Sequence, residues 1–325
     1  VVGAGSWGTT VASLAATNAP TMLWARRLTT ADAISSTHRN PEYLGELPVH
    51  EAVEATHSLA ECVRAADVVV MAVPSHGFRD VLSAAAVHVR PGVPVVSLSK
   101  GLEAGTLARM TEVVSSVLPG HPVAVLTGPN LAREIAAGQP AASVIAIDDT
   151  EVATQLQSLF ATPMFRVYTN PDVVGCEIAG VVKNVIAIAA GIARGMGFGE
   201  NTLATLITRG LAEMSRLAMA MGARPLTLAG LAGMGDLIAT CSSTQSRNMS
   251  VGMRLGSGET LEQVTSSMNM VAEGVKSSPS VLELAMRHKV AMPITQQVVS
   301  VCRDGLSASD ALINLMTRSS KSEFE

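Results

Sequence analysis

Through its first 170 residues the chain alternates short apolar runs with amphipathic stretches. Val1-Val2 leads directly into Gly3-Ala4-Gly5-Ser6-Trp7-Gly8 and then into the apolar stretch Thr9–Ala15. Thr21–Trp24 follows, and then Val68–Val73, stopped by Pro74. Val93–Leu98, Val123–Leu126, Ser143–Ile147 and Arg166–Tyr168 complete the series. Continuous apolar runs this short read as strands buried on both faces. Helical patterns such as Ser58–Ala65 and Gly77–His88 lie between them. The alternation predicts an α/β unit, a doubly wound parallel sheet with ligands at the carboxyl ends of its strands. The chain opens inside its first strand, so a few residues of that strand are expected upstream.

The pattern changes after Asn170-Pro171. Strand-like runs stop and long apolar helical stretches take over: Asp172–Ala193, Thr202–Met221, Leu261–Thr265, Pro279–Arg287 and Ile294–Cys302. This predicts two domains, residues 1–170 built on the sheet and residues 171–325 all-α. No internal repeat or low-complexity tract is visible.

Gly3, Gly5 and Gly8 sharpen the first prediction. A strand end followed by a GxGxxG turn and an apolar helix is the Rossmann-type dinucleotide-binding pattern. Gly3 makes the turn, Gly5 lets backbone approach a pyrophosphate, and Gly8 lets helix and strand pack closely. The free N–H groups of the helix N-terminus then hold phosphate oxygens. Arg26 and Arg27 follow the second strand, where an NAD-selective site carries an acid for the ribose 2′-hydroxyl. No acid follows until Asp32. The pattern predicts NAD(P)H as cofactor, with NADPH accepted at least as well as NADH.

Composition narrows the partners. The 325 residues carry a net charge of −4, with 15% charged and 3% aromatic residues. No basic stripe with interleaved aromatics is present, which argues against nucleic acid. Cys62, Cys176, Cys241 and Cys302 are scattered and make neither a CxxC pair nor a zinc spacing, so reduced thiols and no metal are expected. No signal peptide is visible and a cytoplasmic location is expected. The most apolar stretch, around residues 178–193, contains Lys183 and Asn184, so it is a poor membrane span. Low charge and apolar helices suggest a homodimer.

Lys183 is the residue with most to explain. It is the only charged side chain between Glu177 and Arg194, set among Val, Ile and Ala. An ammonium in low dielectric is costly. Either the lysine snorkels along its own stem to solvent, or it is held inside to exchange a proton with a substrate. Asp236 is the only acid between Glu213 and Glu259. It reads as an N-cap for a helix starting at Leu237 or as a partner that orients Lys183. Arg247 beside Asn248, in a polar loop, has the forked cation a phosphate needs. Arg209, four residues before Glu213, reads as a helical ion pair. His76 at a strand end is superfluous if Lys183 moves the proton. Met214–Met221 reads as core or subunit interface.

Six segments in order give the chain a family likeness: GAGSWGT (3–9), SLSKGLE (97–103), TGPNLAREIA (127–136), VVKNVIAIAAGIARGMGFGENTLATLITRGLAEM (181–214), LAGMGDLIATCSSTQSRN (231–248) and VAEGV (271–275). Along nearly its whole length the chain resembles the bacterial NAD(P)-dependent glycerol-3-phosphate dehydrogenases. The resemblance implies a reversible hydride transfer between NAD(P)H and dihydroxyacetone phosphate, supplying glycerol 3-phosphate for phospholipid synthesis. It implies Lys183 as the proton-transfer residue with Asn184 beside it. Ser6, Trp7, Arg26, Ala132, Val271 and Glu273 fall at cofactor positions. Lys100 is shared between cofactor and substrate, and Gly128 and Asn130 fall at substrate positions. Asp236, Ser246, Arg247 and Asn248 match the substrate loop, with Arg247 also near the cofactor. One departure is visible: Asn130-Leu131 stands where the family often has Ser-Phe. Two other classes compete. Another lysine-based hydroxyacid dehydrogenase is disfavoured by the Ser246-Arg247-Asn248 loop, and a non-catalytic nicotinamide sensor would have no use for Lys183.

Overall fold

The computed structural model describes every residue except 269–271, 320, 321 and 323–325. It divides into two compact units, Val1–Gly180 with Gly222–Asp236, and Val181–Met221 with Leu237–Glu325. The division between these units falls inside the long helix Val173–Gly195, and a short later segment rejoins the first unit. Asp172 explains that return. Its carboxylate accepts from Gly175 N at 2.8 Å, capping the long helix, and from Arg224 N at 2.8 Å. One side chain thus starts the helix and anchors the segment that comes back.

The first unit is a sheet flanked by helices. Its strands are β1 (Thr21–Trp24), β2 (Val53–Thr56), β3 (Val69–Met71), β4 (Val95–Ser97), β5 (Val123–Thr127), β6 (Ala141–Ala146) and β7 (Phe165–Asn170). β1 pairs with β2, and β3 to β7 pair in chain order. Val2 joins the two groups through parallel bridges to Trp24 and Met71, so the opening residues do lie in a central strand position. Alternate side chains serve opposite faces. Val69, Met71 and Val95 pack with Phe78, Leu82 and Val113. Val70, Val96 and Leu126 pack with Leu156 and Phe160 on the other side.

The sheet is parallel with one exception. β6 runs antiparallel to β5, pairing Leu126 with Ile145. Only the five-residue helix Ala132–Ala136 lies between these strands. At about 1.5 Å per residue it advances less than half the length of a six-residue strand. It cannot carry the chain back for a parallel return, so the chain turns instead. β2 is the strand the sequence pattern did not reveal. It is a four-residue edge strand with only Val53 buried, and it has no apolar run.

The second unit is built of helices, as expected: the C-terminal part of Val173–Gly195, then Glu200–Ala220, Arg247–Gly256, Leu261–Ser266, Glu273–Arg287, Pro293–Arg303 and Ala308–Met316. One expected boundary is wrong. The helix predicted from Pro279 begins at Glu273 and runs through that proline. Proline removes the N–H that would bond the carbonyl of Val275. The Ser278 hydroxyl donates to that carbonyl at 3.4 Å, a partial repair.

Val173–Gly195 is long and apolar enough to cross a membrane, but 89% of its most apolar window is buried within the protein. It is a core helix. Its C-terminal part crosses Arg247–Gly256 at backbone contact. A Cβ at Gly191 would lie 2.3 Å from Met249 O, and one at Gly195 2.1 Å from Met253 O. Reciprocally, a Cβ at Gly252 would lie 2.1 Å from Ile188 O, and one at Gly256 2.2 Å from Ile192 O. Two Gly-x-x-x-Gly pairs interlock. Helix propensity alone predicts that Gly252→Ala stabilises by about 1 kcal/mol. The crossing predicts the opposite sign, a loss of about 1–3 kcal/mol or more from overpacking against backbone. The sign of the Tm change in thermal unfolding decides between them.

Candidate active site

In the first unit the glycine turn is held by sterics. Gly3 has φ +118°, and a Cβ there would sit 2.8 Å from Ala72 O. A Cβ on Gly8 would sit 2.0 Å from Gly3 O. Gly5 differs: a Cβ on it would meet nothing within 4 Å. Gly5 is also the N-cap of helix Ser6–Ala16, with no side chain capping the end. Open space therefore lies in front of uncapped N–H groups at the positive end of a helix dipole, the geometry a pyrophosphate requires. The Trp7 indole N–H is buried without a partner, and its ring lies 6.3 Å from that of Phe165. Ser6 takes its carbonyl bond from Thr10 Oγ1 at 2.9 Å, and the same hydroxyl is 3.3 Å from Ala132 O. One threonine thus links two expected cofactor positions. The residues present fit a dinucleotide.

Asn40 was not anticipated. It is fully buried and its amide donates to Ala4 O at 2.9 Å and to Thr9 Oγ1 at 2.8 Å. It clamps both ends of the turn from a distant loop, which no local pattern signals. At the end of β1, Arg26 is exposed and Arg27 forms an ion pair with Glu42.

Lys100 follows β4. Its ammonium donates to Gly128 O at 3.0 Å and to Asp236 Oδ2 at 2.6 Å. Gly180 packs tightly here; a Cβ on it would lie 3.4 Å from Lys100 Cγ and 3.5 Å from Thr127 Oγ1. Asn130 donates to Ser143 Oγ at 3.1 Å, and Ser143 Oγ donates to Thr127 O at 2.8 Å. This relay fixes Asn130 and leaves its Oδ1 buried without a partner, as is Thr127 Oγ1. Buried unsatisfied polar atoms of this kind are what a polar ligand satisfies. Asp236 is not an N-cap. Its φ of −70° and ψ of −33° put it inside the helix Asp236–Ser242, after a π-turn over Leu231–Gly235.

In the second unit Lys183 is 7% exposed, so it does not snorkel to solvent. Its ammonium donates to Thr240 Oγ1 at 2.7 Å. Thr240 escaped notice in the sequence although a signal was there: it lies four residues after Asp236 and shares a helix face with it. Next to Lys183, Asn184 Oδ1 accepts from Asn248 Nδ2 at 2.9 Å, and Asn248 Oδ1 accepts from Gly274 N at 2.9 Å. The pair ties three helices together. Ser246 caps the helix Arg247–Gly256 by accepting from Met249 N at 3.2 Å. Arg247 is then the exposed first residue of that helix, a guanidinium at a positive helix end. Glu273 is half-buried in the first turn of its own helix. Val271 lies outside the described residues.

A cavity of about 920 Å³ in the second unit holds none of these residues. Its lining is mainly apolar and includes Arg209 and Glu213. Glu213 is 1% exposed and accepts from Ile294 N at 2.6 Å, Thr295 N at 3.2 Å and Thr295 Oγ1 at 3.1 Å. It caps the helix Pro293–Arg303. This cap is a task of Glu213 beyond the helical ion pair with Arg209 that the sequence spacing suggests. Among the described residues no cluster of acids, histidines and cysteines could hold a metal, and the four cysteines are free and buried.

A glycine turn before an uncapped helix, on a mostly parallel sheet, joined to a helical unit with a buried lysine, defines an NAD(P)-dependent dehydrogenase. Residues 1–153 match the family described as NAD-dependent glycerol-3-phosphate dehydrogenase N-terminus, and residues 172–313 the corresponding C-terminus. A glycerol-3-phosphate dehydrogenase [NAD(P)+] of Sphingopyxis alaskensis is 56% identical over 98% of this chain and 96% of its own. One from Mycobacterium avium is 51% identical over 97% and 93%. The crystal structure of a glycerol-3-phosphate dehydrogenase from Coxiella burnetii superposes with a TM-score of 0.93 at 35% identity, covering 98% of each chain. The chain belongs to the NAD(P)-dependent glycerol-3-phosphate dehydrogenase family.

Burial pushes the Glu213 carboxyl pKa up, against the lowering effect of its hydrogen bonds and of Arg216. An acid that binds its proton more tightly when folded adds stability at low pH and loses it as pH rises through its folded value. Glu213→Gln removes that slope. Relative to wild type, the variant is expected to gain stability as pH rises from about 4.3 toward neutrality. Denaturant melts at several pH values measure the difference, and a difference independent of pH contradicts it.

Proposed function

We infer that the chain interconverts sn-glycerol 3-phosphate and dihydroxyacetone phosphate with NAD(P)H, with Lys183 as the proton-transfer group. The observation that carries this reading is the buried Lys183 ammonium held on Thr240. Reduced nicotinamide, when bound, supplies hydride to the carbonyl carbon. The carbonyl oxygen then needs a proton, and in the reverse direction the hydroxyl must lose one. A lysine ammonium held in place inside the protein can give a proton to such an oxygen, and its amine can take one back.

The remaining roles follow from what each side chain offers. Arg247 takes the substrate phosphate as a forked donor, aided by the capped helix end behind it. Asn184 and Asn248, locked to one another, position the substrate around Lys183. Asp236 holds Lys100 so that its charge is fixed in place, and Thr127 and Asn130 offer a hydroxyl and an amide oxygen to the substrate's free hydroxyl. Asn130 replaces the family's usual serine, and its amide can both donate and accept. Gly3, Gly5, Ser6, Trp7 and Gly8 hold the dinucleotide. Ala132, Arg26, Val271 and Glu273 are assigned to the same ligand. The working assembly is proposed to be a homodimer and its compartment the cytoplasm; buried free thiols suit a reducing environment.

Lys183→Ala is expected to keep dinucleotide binding and lose turnover by about 10²–10⁴-fold or more, the usual worth of general acid–base catalysis. Steady-state kinetics with dihydroxyacetone phosphate, beside a cofactor titration, test this; turnover within threefold of wild type sinks the assignment. For Arg247→Ala the loss should fall on the phosphorylated substrate, by about 1.5–3 kcal/mol in kcat/KM. Added phosphite should stimulate reduction of unphosphorylated dihydroxyacetone more in wild type than in the variant. Equal stimulation places the phosphate site elsewhere.

A further inference from the structure

We propose that Glu42 sets the balance between NADPH and NADH by holding Arg27. This rests on the reading that the end of β1 receives the adenosine ribose. Sequence proximity shows no acid at that strand end, only Arg26 and Arg27. The fold brings one in from the next loop: Arg27 and Glu42 form an ion pair, each about half exposed. Arg26 is exposed beside it, with no ion pair or side-chain hydrogen bond among the described residues.

Glu42 is carried on a fixed support. Asn40, two residues before it, is the buried clamp on the glycine turn. Leu44, two residues after it, is 1% exposed, and its N–H returns to Asn40 O at 2.8 Å. Arg39 closes the loop by donating to Glu46 O and to Glu46 Oε2, both at 2.6 Å. The carboxylate is therefore presented by the same loop that holds the turn, and Arg27 is fixed as the N-cap residue of helix Leu28–Thr37.

The two cations at the strand end are thus unequal. Arg26 is available to a 2′-phosphate. Arg27 is partly neutralised by Glu42 and held away from a 2′-phosphate. The pair disfavours NADPH without touching the ribose of NADH. Dual cofactor use then comes from one available and one restrained arginine, with no carboxylate on the strand itself.

The test compares Glu42→Gln, Arg27→Ala, the double variant and Arg26→Ala. One readout is the kcat/KM ratio for NADPH over NADH. The other is calorimetric binding of 2′-phospho-ADP-ribose and of ADP-ribose, which needs no turnover. Glu42→Gln is expected to raise the NADPH/NADH ratio about three- to tenfold and to tighten 2′-phospho-ADP-ribose binding by a similar factor, with ADP-ribose binding unmoved. In the Arg27→Ala background the same change should shift the ratio by less than about twofold, since an ion pair acts only through its partner. The effect should also shrink at 1 M salt, where the screening length is about 3 Å. A ratio and a 2′-phospho-ADP-ribose affinity both unchanged in Glu42→Gln overturn the proposal. An effect that persists undiminished without Arg27 overturns it too, by showing direct repulsion. If neither arginine variant alters binding of either analogue, the underlying reading of the strand end fails instead.

Discussion

Two helices touching backbone to backbone are the constraint on which the second unit depends. Gly191 and Gly195 on one meet Gly252 and Gly256 on the other, with no room for a single added carbon. Close approach of this kind fixes register as well as distance, because each glycine faces one particular carbonyl. Lys183 lies on the first helix and Arg247 opens the second. The residues proposed for proton transfer and for the phosphate thus stand at fixed places on a closely packed pair of helices. The Asn184–Asn248–Gly274 chain repeats the constraint in hydrogen bonds and extends it to a third helix. A charge-bearing site gains from this, since fixed dipoles and cations need no reorganisation when charge moves.

The first unit reaches rigidity by another route. Its glycines make space for the chain at Gly3 and Gly8 but leave space at Gly5. The difference separates glycines that a neighbouring atom requires from one with open space in front of it. Asn40 then pins the turn from outside, and Asp172 pins the segment that ends in Asp236. Asp236 in turn holds Lys100. Each polar side chain here bonds groups distant in sequence, so one buried network replaces what local turns could not hold. The cost of burying such groups is met because nearly every atom is partnered. Among the exceptions, Asn40 Oδ1 and the Trp7 indole N–H lie at the glycine turn, and Thr127 Oγ1 and Asn130 Oδ1 flank Lys100's partner Gly128 in sequence.

Much of this was legible in the chain. Sequence pattern located six of the seven strands; β3, β4 and most of β5 and β6 are buried on both faces and leave an unbroken apolar signature. The edge strand Val53–Thr56 left none. Lys183 stood out because a charge in an apolar helix needs a reason, and burial removed the snorkelling alternative. The antiparallel β6 was not legible: it depends on how far a five-residue helix carries the chain, a matter of length and not of pattern. The helix through Pro279 was hidden because a strong breaker rule was offset by the hydroxyl of its neighbour Ser278. Asn40 and Thr240 were missed for a shared reason. Their partners are set by tertiary approach, and polar residues in a loop or on a helix carry no mark of it.

The strand end of β1 shows the same limit acting on specificity. Reading forward from Trp24 finds two arginines and no acid, which argues for a phosphate-tolerant site. Reading in space finds an acid on one of those arginines, delivered by a loop whose other task is to clamp the glycine turn. Charge balance at a binding site is a sum over neighbours in space, and a half-exposed pair weighs less in it than a buried one because water and salt screen it. That weakness suits a discriminator between two cofactors that differ by one phosphate. A buried acid would exclude NADPH outright, whereas an exposed one shifts the preference and leaves both in use.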